Sequence, residues 1–245
     1  MRQIAIIPSR YGSSRFPGKP LQIIAGKPMI EYVYKNTIKA KRLDDVYVAT
    51  DDDRIYNCVK AFGGKAVMTS KDIACGTDRV GNCAKILGLT DEDIVYNIQG
   101  DEPLIRSEMI DELIDIFDDS DVYMGTLKKK IESDEELNNP NIVKVVSDKN
   151  DNAIYFSRYS IPYDRDNNRI DCFKHIGVYG YKNWFLQKFI SLERTPLELS
   201  ESLEQLRVIE NGYKIRVHEI QYYSLGVDVK EQISVVEKAI IQTQK

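Results

Sequence analysis

A short segment near the start, Pro8-Ser9-Arg10-Tyr11-Gly12-Ser13-Ser14-Arg15-Phe16-Pro17-Gly18-Lys19-Pro20, gathers serines, two glycines, two arginines and a lysine directly after an apolar run. The composition suits a polyphosphate. Backbone N–H groups and serine hydroxyls hydrogen-bond phosphate oxygens, Gly12 and Gly18 permit close approach, and Arg10, Arg15 and Lys19 offset the charge. The spacing is neither G-x-x-x-x-G-K-[ST] nor G-x-G-x-x-G, which argues against a P-loop NTPase and against a nicotinamide enzyme. A solvated, proline-stiffened surface loop is the other reading of the same residues.

Further along, Gln99-Gly100-Asp101-Glu102-Pro103 follows a second apolar run, and Asp228 follows Gly226. Asp101 and Asp228 could together hold a magnesium ion, which takes one or two carboxylates and completes its shell with phosphate and water oxygens. Turn-forming or helix-capping acids fit the spacing equally well. In Phe173 to Tyr181, alternation sets His175, Gly177, Tyr179 and Tyr181 on one face, where a histidine and a tyrosine either line a pocket with room for a sugar or serve the structure alone. A helical pattern over Leu197 to Glu210 buries Leu199, Leu203, Leu206 and Ile209 and turns Glu204 and Gln205 to another side, as hydroxyl-orienting groups or as a solvated face. Gly76-Thr77-Asp78-Arg79 opens a helix whose N-terminal N–H groups could read a base edge or only be capped, with Asp78 the expected cap.

These segments need a scaffold that brings them to one edge. Ile4 to Ile7, stopped by Pro8, reads as a strand buried on both faces in a parallel sheet. Helices are expected over Pro28 to Lys41, Arg54 to Phe62, Arg79 to Leu87 and Met109 to Phe117, alternating with strands at Val46 to Ala49, Lys65 to Met68 and Ile94 to Ile98. Such βαβ alternation makes a doubly wound α/β sheet that binds ligands at the carboxyl ends of its strands. The rhythm then loosens, with strands at Val122 to Leu127, Val143 to Val146, Ile154 to Phe156, Phe173 to Tyr181 and Lys214 to Ile220 and a last helix over Val229 to Ile241, so the sheet should be mostly parallel but mixed. One domain over 1–245 is expected, with a smaller inserted subdomain around 128–181 whose arm, Asp148 to Asp171, could pack on a second subunit.

At 245 residues the chain can bury one large core or two modest ones. Its 34 Lys and Arg against 38 Asp and Glu give a net charge of -4, no footprint for nucleic acid or an anionic membrane. Four cysteines, Cys58, Cys75, Cys83 and Cys172, form neither a disulfide framework nor a C-x2-C zinc pair. No apolar run approaches the roughly 18 residues of a membrane span, and the N-terminal run is too short for a signal peptide. A cytoplasmic protein is expected.

The order of residues in the first loop is more specific than its composition. Arg-x-x-Ser-x-Arg-x-Pro-Gly-Lys-Pro-Leu, Arg10 to Leu21, resembles the signature of the sugar-acid cytidylyltransferases, the 3-deoxy-manno-octulosonate (Kdo) cytidylyltransferase family in particular. Gly63-Gly64, Gly76-Thr77-Asp78-Arg79, Gln99-Gly100-Asp101-Glu102-Pro103, Phe156-Ser157-Arg158, His175-x-Gly-x-Tyr-Gly-Tyr181, Ser202-Leu-Glu-Gln-Leu-Arg207 and Gly226-Val-Asp228 resemble the family in the same order, from Ile4 to Val236. The chain departs from it at Cys75, Leu225 and Val229, where Ser, Pro and Thr are usual.

The resemblance implies a nucleotide-diphospho-sugar transferase-like fold and a homodimer. It implies transfer of CMP from CTP to the anomeric hydroxyl of Kdo, giving CMP-Kdo and pyrophosphate for lipopolysaccharide or capsule synthesis. Asp101 and Asp228 would be the Mg²⁺ ligands, Arg10 and Lys19 would steady the phosphates with Ser13, and Gly76, Thr77 and Gln99 would line the substrate site. Arg158, His175, Tyr179, Glu204 and Gln205 would hold the sugar acid, with Arg15 toward its carboxylate. A different sugar acid, 8-amino-Kdo or a nonulosonate, would need only a different sugar pocket. A non-catalytic nucleotide-sugar sensor would not need the metal acids.

Overall fold

Ile4, Ala5, Ile6 and Ile7 are almost wholly buried because their strand runs through the middle of the sheet, between two parallel neighbours. The structure, a computed structural model, describes residues 1–12, 16–73, 75–166, 170–222, 225–227 and 229–243. In chain order the elements are β1 (Gln3–Ser9), β2 (Ile23–Ile24), β3 (Lys27–Pro28), α1 (Met29–Thr37), β4 (Asp45–Thr50), α2 (Asp53–Ala61), β5 (Ala66–Met68), α3 (Gly76–Ile86), β6 (Ile94–Asn97) and α4 (Ser107–Asp115). There follow β7 (Met124–Lys130), α5 (Asp134–Asn138), β8 (Lys144–Ser147), β9 (Ala153–Ser157), β10 (Phe173–Lys182), α6 (Asn183–Ser191), α7 (Pro196–Glu201), α8 (Leu206–Glu210), β11 (Arg216–Glu219) and α9 (Ile233–Thr243).

The main sheet has the order β11-β7-β10-β6-β1-β4-β5. Strands β6, β1, β4 and β5 are mutually parallel, β10 enters antiparallel between β6 and β7, and β11 lies parallel to β7. This is the mostly parallel, mixed α/β sheet that the sequence predicts. Two apolar clusters cover its faces: one holds Ile7, Val48, Tyr96, Met109 and Phe117, the other Ile6, Val95, Tyr181, Phe185 and Leu206. Residues 128–181 start on β7 and return on β10; between them α5 and the β8–β9 hairpin extend from the outer end of β10, where Phe173 and Lys174 pair with Val145 and Lys144. Among the described residues no helix is long and apolar enough to cross a membrane.

Several boundaries differ from the sequence reading. Strand β1 runs through Pro8 to Ser9, because its ladder with β6 ends at Ile6 while that with β4 continues to Thr50. The missing proline N–H therefore falls beyond one of the two ladders. Helix α3 begins at Gly76 and α1 stops at Thr37, and α6, carried by Trp184, Phe185, Leu186 and Phe189, has no counterpart in the sequence reading. The single helix expected over Leu197 to Glu210 is two. Ser202 takes a left-handed conformation (φ 53°) that ends α7, and Leu199, expected in the core, is 60% exposed. The buried Arg207 guanidinium grips both Glu198 oxygens, at 2.5 and 2.7 Å, and folds α8 back on α7.

The starts of β1 and β6 are tied by Asp93. Its carboxylate accepts from the Arg2 backbone N–H at 2.7 Å, from the Arg2 guanidinium and from the Thr90 N–H. Burial raises the affinity of Asp93 for a proton, but the Arg2 and Thr90 donors outweigh it and bring the pKa to about 2. The charged form is the one the fold prefers, so its contribution is complete above the unfolded carboxylate value and is lost as pH falls through about 2. Asp93→Asn is expected to lower unfolding free energy by about 2 kcal/mol at neutral pH and to flatten stability between pH 4 and 2. Urea titrations of both proteins across that range check this, and parallel pH profiles would refute it.

Candidate functional site

The carboxyl ends of β1 and β6 lie side by side, so the residues after them, Arg10 and Gln99 to Asp101, meet at one edge of the sheet. The approach is close enough that a Cβ on Gly100 would stand 2.8 Å from the Pro8 carbonyl oxygen and 2.9 Å from Ser9 Oγ. After β1 the chain loops out and closes on itself: the Gly18 N–H donates to the Tyr11 carbonyl at 2.8 Å, with Gly18 at φ 71°, and the Arg54 guanidinium stacks 3.3 Å from the Tyr11 ring. That closure delivers Lys19 to the same edge.

Lys19 Nζ donates to Asp101 Oδ2 at 2.7 Å and to the Val227 carbonyl at 2.8 Å, while the Val227 N–H donates to the Asp101 carbonyl at 2.8 Å. Three distant segments are thereby joined at one half-buried ion pair. Ser9, Arg10, Lys19, Gly76, Gln99 and Asp101 line an outer compartment of about 240 Å³. Ser9 Oγ is buried there without a hydrogen-bond partner among the described residues. Ser13, Arg15 and Asp228 lie outside the described residues.

Gly76 and Gln99 also line an inner compartment of about 270 Å³, so the two spaces adjoin. Thr77, Asn97, Gly177, Tyr179, Glu204 and Gln205 line it further. Thr77 Oγ1 donates to Glu204 Oε2 at 2.8 Å, and Gln99 Nε2 to the Gly177 carbonyl at 3.1 Å. Glu204 and Gln205 reach it because the chain breaks between α7 and α8 just where they stand. The helix carrying Thr77 is capped by Cys75, whose Sγ accepts from the Asp78 N–H at 3.3 Å, and not by Asp78 as expected. Burial, with the Glu204 charge behind it, pushes the Cys75 thiol up to about 12, so it stays protonated at neutral pH.

Gly177 stands in a bulge of β10, where the pairing with β7 shifts between Ile176 and Tyr179. Thr126 fills the bulge. Its Oγ1 donates to the Val178 carbonyl at 2.7 Å, which leaves it to accept from His175 Nε2 at 3.1 Å. His175 packs edge-on to Phe156 and against Tyr179 of the cleft, and burial lowers its pKa to about 3, so the ring is neutral. Arg158 is anchored nearby: its Nε donates to the Glu201 carbonyl at 2.8 Å and one terminal nitrogen to the Pro140 carbonyl at 3.1 Å, next to Ser202 on the cleft wall. The structure therefore brings Arg10, Lys19, Asp101, Gly76, Thr77, Gln99, Tyr179, Glu204 and Gln205 onto one cleft, with His175 packed on Tyr179 and Arg158 anchored beside Ser202.

Sequence reasoning passed over Asn97, a polar residue in a buried strand that stands two residues before Gln99 and lines the cleft with it. Ser9, one of the serines of the first loop, is the buried last residue of β1. Sequence reading also passed over Arg79, whose fully buried guanidinium bonds Asp51 Oδ2 at 2.7 Å and Thr69 Oγ1 at 2.5 Å beneath the α3 end of the cleft.

Two glycines of the cleft should respond oppositely to a methyl group. Gly100→Ala forces the added carbon onto backbone and should cost about 1–3 kcal/mol of stability. Gly177→Ala meets nothing within 4 Å and should stay within about 0.5 kcal/mol of the parent. Denaturant midpoints decide, and a similar cost for both would refute the close approach of β1 and β6.

The sequence matches the family described as Cytidylyltransferase over residues 4–215. It is 54% identical over 238 residues to the 3-deoxy-manno-octulosonate cytidylyltransferase of Fusobacterium nucleatum subsp. nucleatum, covering 96% of both chains. It is 49% identical over 239 residues to the 8-amino-3,8-dideoxy-manno-octulosonate cytidylyltransferase of Shewanella pealeana, covering 97% of this chain and 98% of that one. A solved CMP:2-keto-3-deoxy-manno-octonic acid synthetase complexed with CTP superposes with a TM-score of 0.93 at 40% identity, over 99% of this chain and all of that one. A cytidylyltransferase from Leptospira borgpetersenii, 18% identical with a TM-score of 0.65, shares the fold. This chain belongs to the cytidylyltransferase family.

Proposed function

We propose that this protein transfers CMP from CTP to the anomeric hydroxyl of 3-deoxy-D-manno-octulosonate in the cytoplasm, releasing CMP-Kdo and pyrophosphate for lipopolysaccharide or capsule synthesis. The observation that carries this reading is the pair of adjoining compartments, one lined by Arg10 and Lys19, the other by Tyr179, Glu204 and Gln205, meeting at Gly76 and Gln99. A triphosphate suits the first and a polyhydroxylated sugar acid the second. The anomeric oxygen and the α-phosphorus then face each other at the junction. The oxygen attacks in line and gives up its proton to solvent, the new P–O bond forms, and the bond to the β-phosphate breaks with its electron pair leaving on pyrophosphate. Rate comes from positioning and from charge offset at the phosphates by Arg10 and Lys19, with Ser13 adding a hydrogen bond.

A divalent cation fits the outer compartment. Among the described residues no cluster of three or more His, Cys, Asp or Glu forms a cage, and magnesium needs none when phosphate oxygens complete its shell. Lys19 engages only Oδ2 of Asp101, which leaves the second oxygen of that carboxylate for a hard cation. Asp101 and Asp228 would hold Mg²⁺, whose charge would neutralise the phosphates and the leaving group. Arg158, His175, Tyr179, Glu204 and Gln205 are assigned to the sugar acid, and Arg15 to its carboxylate.

Residues 128–181 are proposed as the dimerisation and sugar-binding insertion of the single domain. Tyr159 and Tyr163, 82% and 87% exposed, stand on that arm. Large exposed aromatics grouped in this way mark contact surfaces. Sedimentation is expected to give about twice the 28.1 kDa of one chain; a monomer at micromolar concentration would remove the dimer.

Pyrophosphate release from CTP and Mg²⁺ with Kdo, 8-amino-Kdo and N-acetylneuraminate as acceptors tests the reaction and the acceptor together. The 8-amino acid is included because relatives named for it are 48–49% identical to this chain. Release is expected with Kdo. Asp101→Asn and Lys19→Met should each lower turnover at least about 100-fold with little change in melting temperature. Near-parental rates in either variant would remove that residue from the machinery.

A further inference from the structure

We propose that Asn97 is a specificity-determining residue of the inner compartment, its amide oxygen accepting a hydrogen bond from a hydroxyl of the sugar acid beyond the anomeric carbon. The inference rests on the sugar-acid reading above and adds a residue to it. Ile94, Val95, Tyr96 and Ile98 around Asn97 are fully buried, and Asn97 itself is 2% exposed. A side-chain amide in such a place is costly unless both of its ends have partners. One end has a polar neighbour, the Tyr181 hydroxyl. The other end, Oδ1, has no hydrogen-bond partner among the described residues, although Asn97 lines the cleft.

Position limits what the partner can be. Gln99 stands where the two compartments adjoin, and Asn97, the last residue of β6, stands two residues before it and lines only the inner one. A substrate whose anomeric carbon is at the junction places its ring or its hydroxylated chain there. An amide oxygen only accepts, so it faces a donor and disfavours the carboxylate of the acid. Met124, Phe189 and Leu203 supply apolar wall to the same compartment. Glu204, held by Thr77, offers the second acceptor, across the compartment. Acceptors fixed in the wall of such a compartment read hydroxyl positions on a sugar, and a site built for a hydroxyl rejects an analogue without it because its own buried group is left unpaired.

The test combines a substitution with altered substrates. Asn97→Leu keeps the branching at Cγ and removes the acceptor. It should raise the KM for Kdo about 10- to 100-fold, leave the KM for CTP within about 2-fold, and hold the melting temperature within about 3 °C. Kdo analogues with single hydroxyls replaced by hydrogen are then compared. The parent enzyme should lose about 10- to 100-fold in kcat/KM on one analogue, and Asn97→Leu should handle that analogue and Kdo alike. The same comparison with 8-amino-Kdo shows whether the hydroxyl lies at the far end of the chain or on the ring. Asn97→Asp, which keeps an acceptor, should retain the discrimination. If the leucine variant does not fold, Asn97→Ser shortens the reach and must lose the discrimination in its place.

An unchanged KM for Kdo, or a variant that still rejects the same analogue by the full factor, would overturn the proposal and leave Asn97 a structural amide. Failure of the parent enzyme to release pyrophosphate with any octulosonate would instead remove the functional reading on which the proposal stands.

Discussion

The Lys19 ammonium is the point on which the site depends. It reaches one oxygen of Asp101 and the carbonyl of Val227, and the Val227 N–H returns to the Asp101 carbonyl. A cationic loop, an acidic turn and a strap more than 200 positions from the loop are thereby held at one spot. A reaction that gains its rate by positioning needs such a fixed arrangement before substrate arrives. The ion pair holds two opposite charges side by side at the sheet edge. Gly100 makes the arrangement possible, since any side chain there would press β1 and β6 apart.

The inner compartment is built by a second set of constraints. Its far wall is a break between two helices, held by the buried Arg207–Glu198 pair and closed by a left-handed serine. Its floor is the bulge in β10, filled by Thr126 and opened toward the cleft by Gly177. Both are local departures from regular structure. Each turns polar groups that a regular helix or strand would spread over its surface toward one volume. His175 and Cys75 stand beside it, neutral and protonated, because burial suppresses their ionisation.

Much of the fold was legible in the residues. Apolar runs at Ile4 to Ile7, Val46 to Ala49 and Ile94 to Ile98 correspond to β1, β4 and β6, and the spacing of the intervening helices identifies a doubly wound sheet. Helix α6 escaped notice because its aromatic face follows β10 without a turn signal, so the two apolar stretches merge. The helix over Leu197 to Glu210 was legible in its period and wrong in its continuity. A leucine stripe records which side is apolar, while the break at Ser202 is imposed by a contact between Glu198 and Arg207 across the turn. Asn97 was hidden by its neighbours, since a polar residue within an apolar run is ordinarily read as tolerated and not as placed.

The sequence by itself determined the α/β class, the edge at which ligand groups collect, and the chemistry of the loop from Arg10 to Lys19, because periodicity and the position of polar residues after strands are local properties of the chain. Only the tertiary structure decided that Lys19 pairs with Asp101, that His175 packs on Tyr179 after a bulge in its strand, and that Asn97 opens onto the cleft. Those outcomes depend on how distant segments of the chain meet and on which polar atoms burial leaves without a partner, and neither is encoded in the spacing of any one segment.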